Sequence, residues 1–133
     1  MEPFQVVHYS ANEYYHTHYD AFEHDDLGEI NRETSFFLII QESDVIGGGT
    51  NFPRIHTDCE WPPAGLCEHL ECACNEGSKN TTLTVKPVQG NGIFWQNLKP
   101  DGSIHPRTLH AGLKLEAGVK VGLNIWTWSA SLQ

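Results

Sequence analysis

The chain has 133 residues, 17 acidic against 8 basic side chains for a formal net charge of −9, 39% hydrophobic residues, 8 His and 4 Cys. That length buries about two thirds of its unfolded surface in one core and leaves no room for a second. An acidic surface without clustered Lys or Arg repels phosphate backbones, so nucleic acid is not an expected partner. The longest apolar run, Phe36-Phe37-Leu38-Ile39-Ile40, is far short of the roughly 20 residues that cross a bilayer. The opening Met1-Glu2-Pro3-Phe4-Gln5 lacks the basic head and apolar stretch of a signal peptide.

In chain order, strands are predicted over Phe4–Tyr9, Tyr14–Asp20, Ser35–Gln41, Leu83–Lys86, Gly92–Leu98 and Val119–Trp128, each rich in β-branched or aromatic residues. Gly47-Gly48-Gly49, Gly90-Asn91-Gly92, Pro100-Asp101-Gly102 and Ala117-Gly118 supply turn chemistry between them. No segment shows a 3.6-residue apolar repeat. The expected fold class is all-β, a closed or double-sheet architecture. Residues 54–82 break the alternation and carry Cys59, Cys67, Cys72 and Cys74, with Trp61-Pro62-Pro63 near the start, and are read as an inserted loop. Disulfides, free thiols and zinc all remain open for these cysteines, although Cys72-x-Cys74 lacks the paired spacing of common zinc modules. Asn80-Thr81-Thr82 is a glycosylation sequon.

His16-Thr17-His18-Tyr19-Asp20 is the densest group of metal-ligating residue types. On a strand, residues two apart share a face, so any adjacent pair among His16, His18 and Asp20 could bind a metal. A third ligand is available in His110, just before a turn and the last predicted strand. Two His and one carboxylate on one side of an ion leave three positions open, the arrangement of non-haem Fe(II) oxygenases, whereas zinc is normally held more tightly closed. In the last strand Lys120, Gly122, Asn124, Trp126 and Trp128 alternate with Val121, Leu123 and Ile125, so Lys120 points away from the apolar layer. A lysine so placed, ten residues after His110, suits the far carboxylate of a dicarboxylic cosubstrate.

These residues resemble the catalytic domain of prolyl 4-hydroxylases, within the Fe(II) and 2-oxoglutarate dependent dioxygenases, including the transmembrane enzymes of the endoplasmic reticulum. The resemblance is carried by Gln5-Val6-Val7-His8-Tyr9, Tyr15-His16-Thr17-His18-Tyr19-Asp20, the stretch from Ser43 to Pro53, Val85-Lys86-Pro87-Val88-Gln89-Gly90, Ile93-Phe94-Trp95, and His110 through Lys120 to Trp126, in the family's order. It implies a double-stranded β-helix (jelly-roll, cupin-like) core for one dioxygenase domain spanning 1–133, without the family's N-terminal helices. Those helices cover the outer sheet face, so Val121, Leu123 and Ile125 are expected to be exposed, as in a fragment or a domain that needs a partner. It further implies His18, Asp20 and His110 as iron ligands, Lys120 with Tyr9 and Thr50 as contacts to 2-oxoglutarate, and Tyr15 and Trp126 beside the target proline. His16 becomes a supporting or exposed residue.

The activity implied is hydroxylation of a peptidyl proline coupled to oxidative decarboxylation of 2-oxoglutarate to succinate and CO2, with O2 as co-reactant, ascorbate as protective reductant and a proline-containing peptide or protein as substrate. With the cysteines and the sequon, it also implies the endoplasmic reticulum lumen or secretory pathway. Two positions depart from the family pattern: Arg32 stands two residues too early relative to Ser43-Asp44-Val45, making it a weak candidate, and Trp128 replaces a common histidine. The competing expectations are a catalytically silent or truncated binding module, and a cupin-like metal enzyme in which Lys120 binds no dicarboxylate.

Overall fold

The computed structural model describes residues 1–23, 30–58, 65–71 and 80–129. Among them run strands β1 (Gln5–Tyr9), β2 (Tyr15–His18), β3 (Arg32–Gly47), β4 (Thr50–Asp58), β5 (Asn80–Val85), β6 (Gly92–Gln96), β7 (His110–Gly112) and β8 (Leu115–Trp128). All pair antiparallel in two four-stranded sheets, ordered β1-β8-β3-β6 and β2-β7-β4-β5. This is the all-β jelly-roll core that the sequence led us to expect.

Alternation explains which side chains meet between the sheets. Phe37 and Ile39 of β3, Trp95 of β6 and Phe52 of β4 form the buried cluster, with Val7, Ile55, Leu83 and Ile93 packed against it. Phe52 meets Trp95 edge-on at 5.5 Å between ring centroids, and burying a side chain of that size contributes about 1.5–3 kcal/mol. On the outer face of the first sheet, Val121, Leu123 and Ile125 are half-buried rather than exposed. Val6 and Phe94, on the flanking strands of that sheet, are 60% and 64% exposed.

Two strands were not predicted. β7 is only three residues long, too short for alternation to register. β4 contains Pro53, which has no N–H for a ladder, and the β4–β5 register breaks between Phe52 and His56. β4 then continues through residues 54–58, so the start of the expected inserted loop is strand instead. Within that loop a short 3-10 turn spans Leu66–Glu68, Cys67 is disulfide-bonded, and the turn is tied to β5 by the Leu70↔Val85 bridge. Cys59, Cys72, Cys74 and Trp61-Pro62-Pro63 lie outside the described residues.

β3 and β8 are both longer than predicted, and β3 is bulged against β8 between Ile39 and Gln41 and again between Ser43 and Ile46. Asp44 takes a positive φ of 51° there, and Gly118 on β8 one of 84°. A Cβ on Gly118 would collide with the Ser43 carbonyl oxygen and stand 2.5 Å from that of Asp44. Backbone cannot yield as a side chain does. Gly118→Ala is therefore expected to destabilise the protein by at least about 2 kcal/mol, read as a lower denaturation midpoint at unchanged m-value.

Candidate active site

His18 ends β2 and His110 begins β7, and the two residues are paired directly across the ladder. Their rings stand 4.3 Å apart. Each ring is turned by a backbone carbonyl: His18 Nδ1 lies 2.8 Å from His16 O and His110 Nδ1 2.7 Å from Thr108 O. A carbonyl only accepts, so Nδ1 bears hydrogen in both rings and Nε2 is the nitrogen turned toward Asp20. Trp95 meets His110 edge-on at 4.9 Å and braces it from the core.

Asp20 lies two residues past the end of β2, on no strand. The face shared by His16, His18 and Asp20 therefore does not form: His18 and Asp20 converge, while His16 is exposed and stacks on Tyr15. Asp20 Oδ1 is 3.6 Å from both His18 Nε2 and His110 Nε2, and the three ligand atoms lie within 4.8 Å of one another. Its Oδ2 accepts a hydrogen bond from Ser35 at 2.5 Å.

Burial by itself pushes the Asp20 carboxyl up, yet the His18 ring, the charge of His110 and the Ser35 hydroxyl hold it below the usual carboxylate value. Burial pushes His110 below the usual imidazole value, against the pull of Asp20 and the Thr108 carbonyl. The Nε2 atoms of two imidazoles and one carboxylate oxygen thus converge in one small cluster. The two 3.6 Å spacings from Asp20 fall within the span of about 4.4 Å open to two ligands held by one ion at about 2.0–2.2 Å. The donor set fits Fe(II), as two histidines and a carboxylate do in non-haem iron oxygenases.

The same cavity, of about 400 Å³, is lined by His18, Asp20 and His110 and by Tyr9, Thr50 and Lys120, a size usual for small-ligand sites. Lys120 is 2% exposed. β8 is an interior strand between β1 and β3, so Lys120 has no route to solvent along an edge. Its Nζ donates to Gly48 O at 2.6 Å and sits 4.6 Å over the Tyr9 ring. Positive φ at Gly47 and Gly48 turns the chain there, and a Cβ on Gly48 would stand 2.8 Å from Leu115 Cδ1. Burial lowers Lys120 from 10.5 to about 8. Burial, together with Tyr15 and Glu13, raises Tyr9, which keeps its phenol as a neutral donor. Thr50, also buried, adds a hydroxyl.

Tyr15, half exposed, and Trp126, buried, line this cavity too. Beside them stands Arg32, which sequence reasoning set aside. Its guanidinium lies 3.8 Å over the Trp126 ring and 4.8 Å over that of Phe22, bonds both Glu2 carboxylate oxygens at 2.6 and 2.8 Å, and reaches Asp20 O at 3.3 Å. Between Arg32 and Ser43 the β3–β8 register shifts twice, at Arg32/Thr34 and at Ile39/Gln41, and Arg32 lines the cavity despite its early position in the sequence. Trp128 stacks on Phe22 at 6.3 Å. Ser35 and Asn97, buried and linked to Asp20, were likewise not singled out; the available signal was a polar residue at an inward strand position.

Comparison with known proteins agrees with this geometry. The model of the 2OG-Fe(II) oxygenase superfamily matches residues 4–128. A probable prolyl 4-hydroxylase 3 of Arabidopsis thaliana is 31% identical over 126 residues, covering 94% of this chain and 42% of that protein. The human transmembrane prolyl 4-hydroxylase is 27% identical over 150 residues, covering 94% and 29%. The crystal structure of a viral collagen prolyl hydroxylase from Paramecium bursaria chlorella virus-1, in complex with 2OG, superposes with a TM-score of 0.69 at 25% identity, covering 98% of this chain and 60% of that one. The chain spans less than half the length of these curated relatives. With the family model matched over nearly its whole length, this chain belongs to the 2OG-Fe(II) oxygenase superfamily.

Proposed function

We propose that this domain is a 2-oxoglutarate-dependent dioxygenase that hydroxylates peptidyl proline. The observation that carries the reading is the convergence of His18, Asp20 and His110 in one cavity with the buried ammonium of Lys120. In the overall reaction one atom of O2 enters succinate, CO2 is released, and the other atom is inserted into a substrate C–H bond. Fe(II), when bound, supplies the means to activate O2 against that bond.

The protein's own residues do the rest. His18, Asp20 and His110 would hold the ion, with three neighbouring positions left open. Lys120 would pair with the remote carboxylate of 2-oxoglutarate through a charge-assisted hydrogen bond, with Tyr9 and Thr50 donating alongside. Tyr15 and Trp126 would form aromatic walls for a pyrrolidine ring, with the Arg32 guanidinium above Trp126 offering donors to the peptide. Asp20, His110 and Lys120 line the cavity from buried positions, which limits water at that end of it.

Prolyl substrates are supported by the prolyl 4-hydroxylases among the relatives. A secretory setting is supported by the transmembrane relative and by the bonded state of Cys67, and ascorbate would sustain turnover. The test is incubation of the purified protein with Fe(II), ascorbate, 2-oxoglutarate and proline-rich peptides, scoring succinate and hydroxyproline together. One succinate per hydroxyproline is expected. Succinate formation that no peptide stimulates would overturn the prolyl assignment, and none at all would favour a silent binding module.

A further inference from the structure

His18 and His110 are set by the β2–β7 ladder, but Asp20 has no strand to hold it. Its carboxylate is held from the opposite sheet. Ser35 on β3 donates to Oδ2 at 2.5 Å, and Asn97, just after β6, donates from Nδ2 to Ser35 Oγ at 2.8 Å. Ser35 is 1% exposed and Asn97 0%. We propose that Asn97 and Ser35 are positioning residues, a buried relay that keeps Asp20 a one-oxygen ligand and so sets the metal affinity and coordination number of the site; the inference rests on the metal site proposed above.

The direction of the relay follows from its end. An ionised carboxylate only accepts, so the single hydroxyl hydrogen of Ser35 goes to Asp20, and the Ser35 oxygen is free to accept from an amide nitrogen. Reversing the Asn97 amide would set its oxygen against Ser35 and compete for that hydrogen. Asn97 holds this orientation although its Oδ1 is buried without a hydrogen-bond partner.

Both links are rigid. Ser35 is paired in the ladders with Trp95 on one side and Trp126 on the other. The Asn97 peptide N–H donates to Glu33 O at 2.7 Å, and its carbonyl accepts from His105 N–H at 2.7 Å. With Oδ2 engaged, Oδ1 is the oxygen presented to both His Nε2 atoms. A carboxylate free to turn would bind through both oxygens, occupy a further coordination position and leave fewer than the three that the chemistry uses. Outer partners of this kind tune a metal site by orienting its ligands.

The test is titration of the protein with Co(II) alone, without cosubstrate, following the visible d–d bands of wild type, Ser35→Ala and Asn97→Ser, with cooperative thermal unfolding as the check on folding. Ser35→Ala is expected to bind Co(II) roughly 10- to 100-fold more weakly, with weaker d–d absorption as the coordination number rises. Asn97→Ser leaves the Ser35 hydroxyl free to rotate, and a loss of roughly fivefold is expected. Either variant, folded and with wild-type affinity and band intensity, would overturn the relay. Failure of the wild type to bind Co(II) would instead overturn the metal site itself.

Discussion

Asp20→Asn is expected to abolish turnover and to weaken divalent metal binding by more than 100-fold, beyond the 10- to 100-fold that loss of an outer partner produces. The substitution preserves shape while removing the charge and one acceptor from a cluster in which Asp20 Oδ1 faces His18 Nε2 and His110 Nε2, each at 3.6 Å. An amide nitrogen at that position would donate to the imidazole lone pairs, satisfying without metal a cluster that otherwise calls for a cation. Folding should lose little. His18, His110 and Ser35 outweigh the burial of the carboxylate, so the metal-free variant is expected to be less stable than wild type, by about 1 kcal/mol. Calorimetric metal titration beside denaturant unfolding separates the two effects. A variant that loses stability and metal affinity in proportion would mark Asp20 as a structural residue.

Lys120→Met is expected to do two opposite things. Truncating one partner of a buried, hydrogen-bonded charge pair costs about 2–5 kcal/mol, roughly 30-fold to several thousandfold, and this loss should appear in 2-oxoglutarate affinity. In the cosubstrate-free protein the same change should stabilise. The drop of Lys120 from 10.5 to about 8 is caused by burial and corresponds to on the order of 3 kcal/mol held against the fold at neutral pH; the Gly48 carbonyl, which would lose its partner, offsets part of the gain.

The pH dependence has a definite sign. Between about pH 8 and 10.5 the unfolded chain binds a proton at this lysine that the folded chain does not, so wild-type stability rises with pH in that window. Below about pH 8 the full penalty stands, and the stability advantage of Lys120→Met should fade as pH climbs from 8 to 10.5. Cosubstrate binding runs the other way. A carboxylate favours the protonated amine, so 2-oxoglutarate affinity should fall by about tenfold per pH unit above about pH 8 in wild type and stay flat in the variant. Equal pH dependence in both would exclude Lys120 as the carboxylate partner.

The cluster of His18, Asp20 and His110 and the buried Lys120 were legible as candidates because metal chemistry admits few residue types, and β8 presents its alternate residues to one side. Resemblance then chose His18 over His16; in the fold β2 ends at His18, Asp20 clusters with it and His16 is exposed. Arg32, read from the sequence as a weak candidate, lines the cavity; counting residues assumes an unbulged strand, whereas β3 slips its register repeatedly against β8. Ser35 and Asn97 were invisible for a different reason. Small polar residues occur everywhere, and their contacts span 15 and 62 positions of the sequence, so only the folded arrangement brings them to Asp20. β7, at three residues, owes its existence to its neighbours β2 and β4 rather than to any local pattern.

The most direct test is an anaerobic titration of the Fe(II)-loaded protein with 2-oxoglutarate, following the visible charge-transfer absorption that marks chelation of ferrous iron by the 2-oxo acid. A saturable band with one cosubstrate per chain is expected, absent in Asp20→Asn and shifted to much higher 2-oxoglutarate concentration in Lys120→Met. No band in the folded wild-type protein, or the same band in Asp20→Asn, would contradict a dioxygenase site built on His18, Asp20, His110 and Lys120.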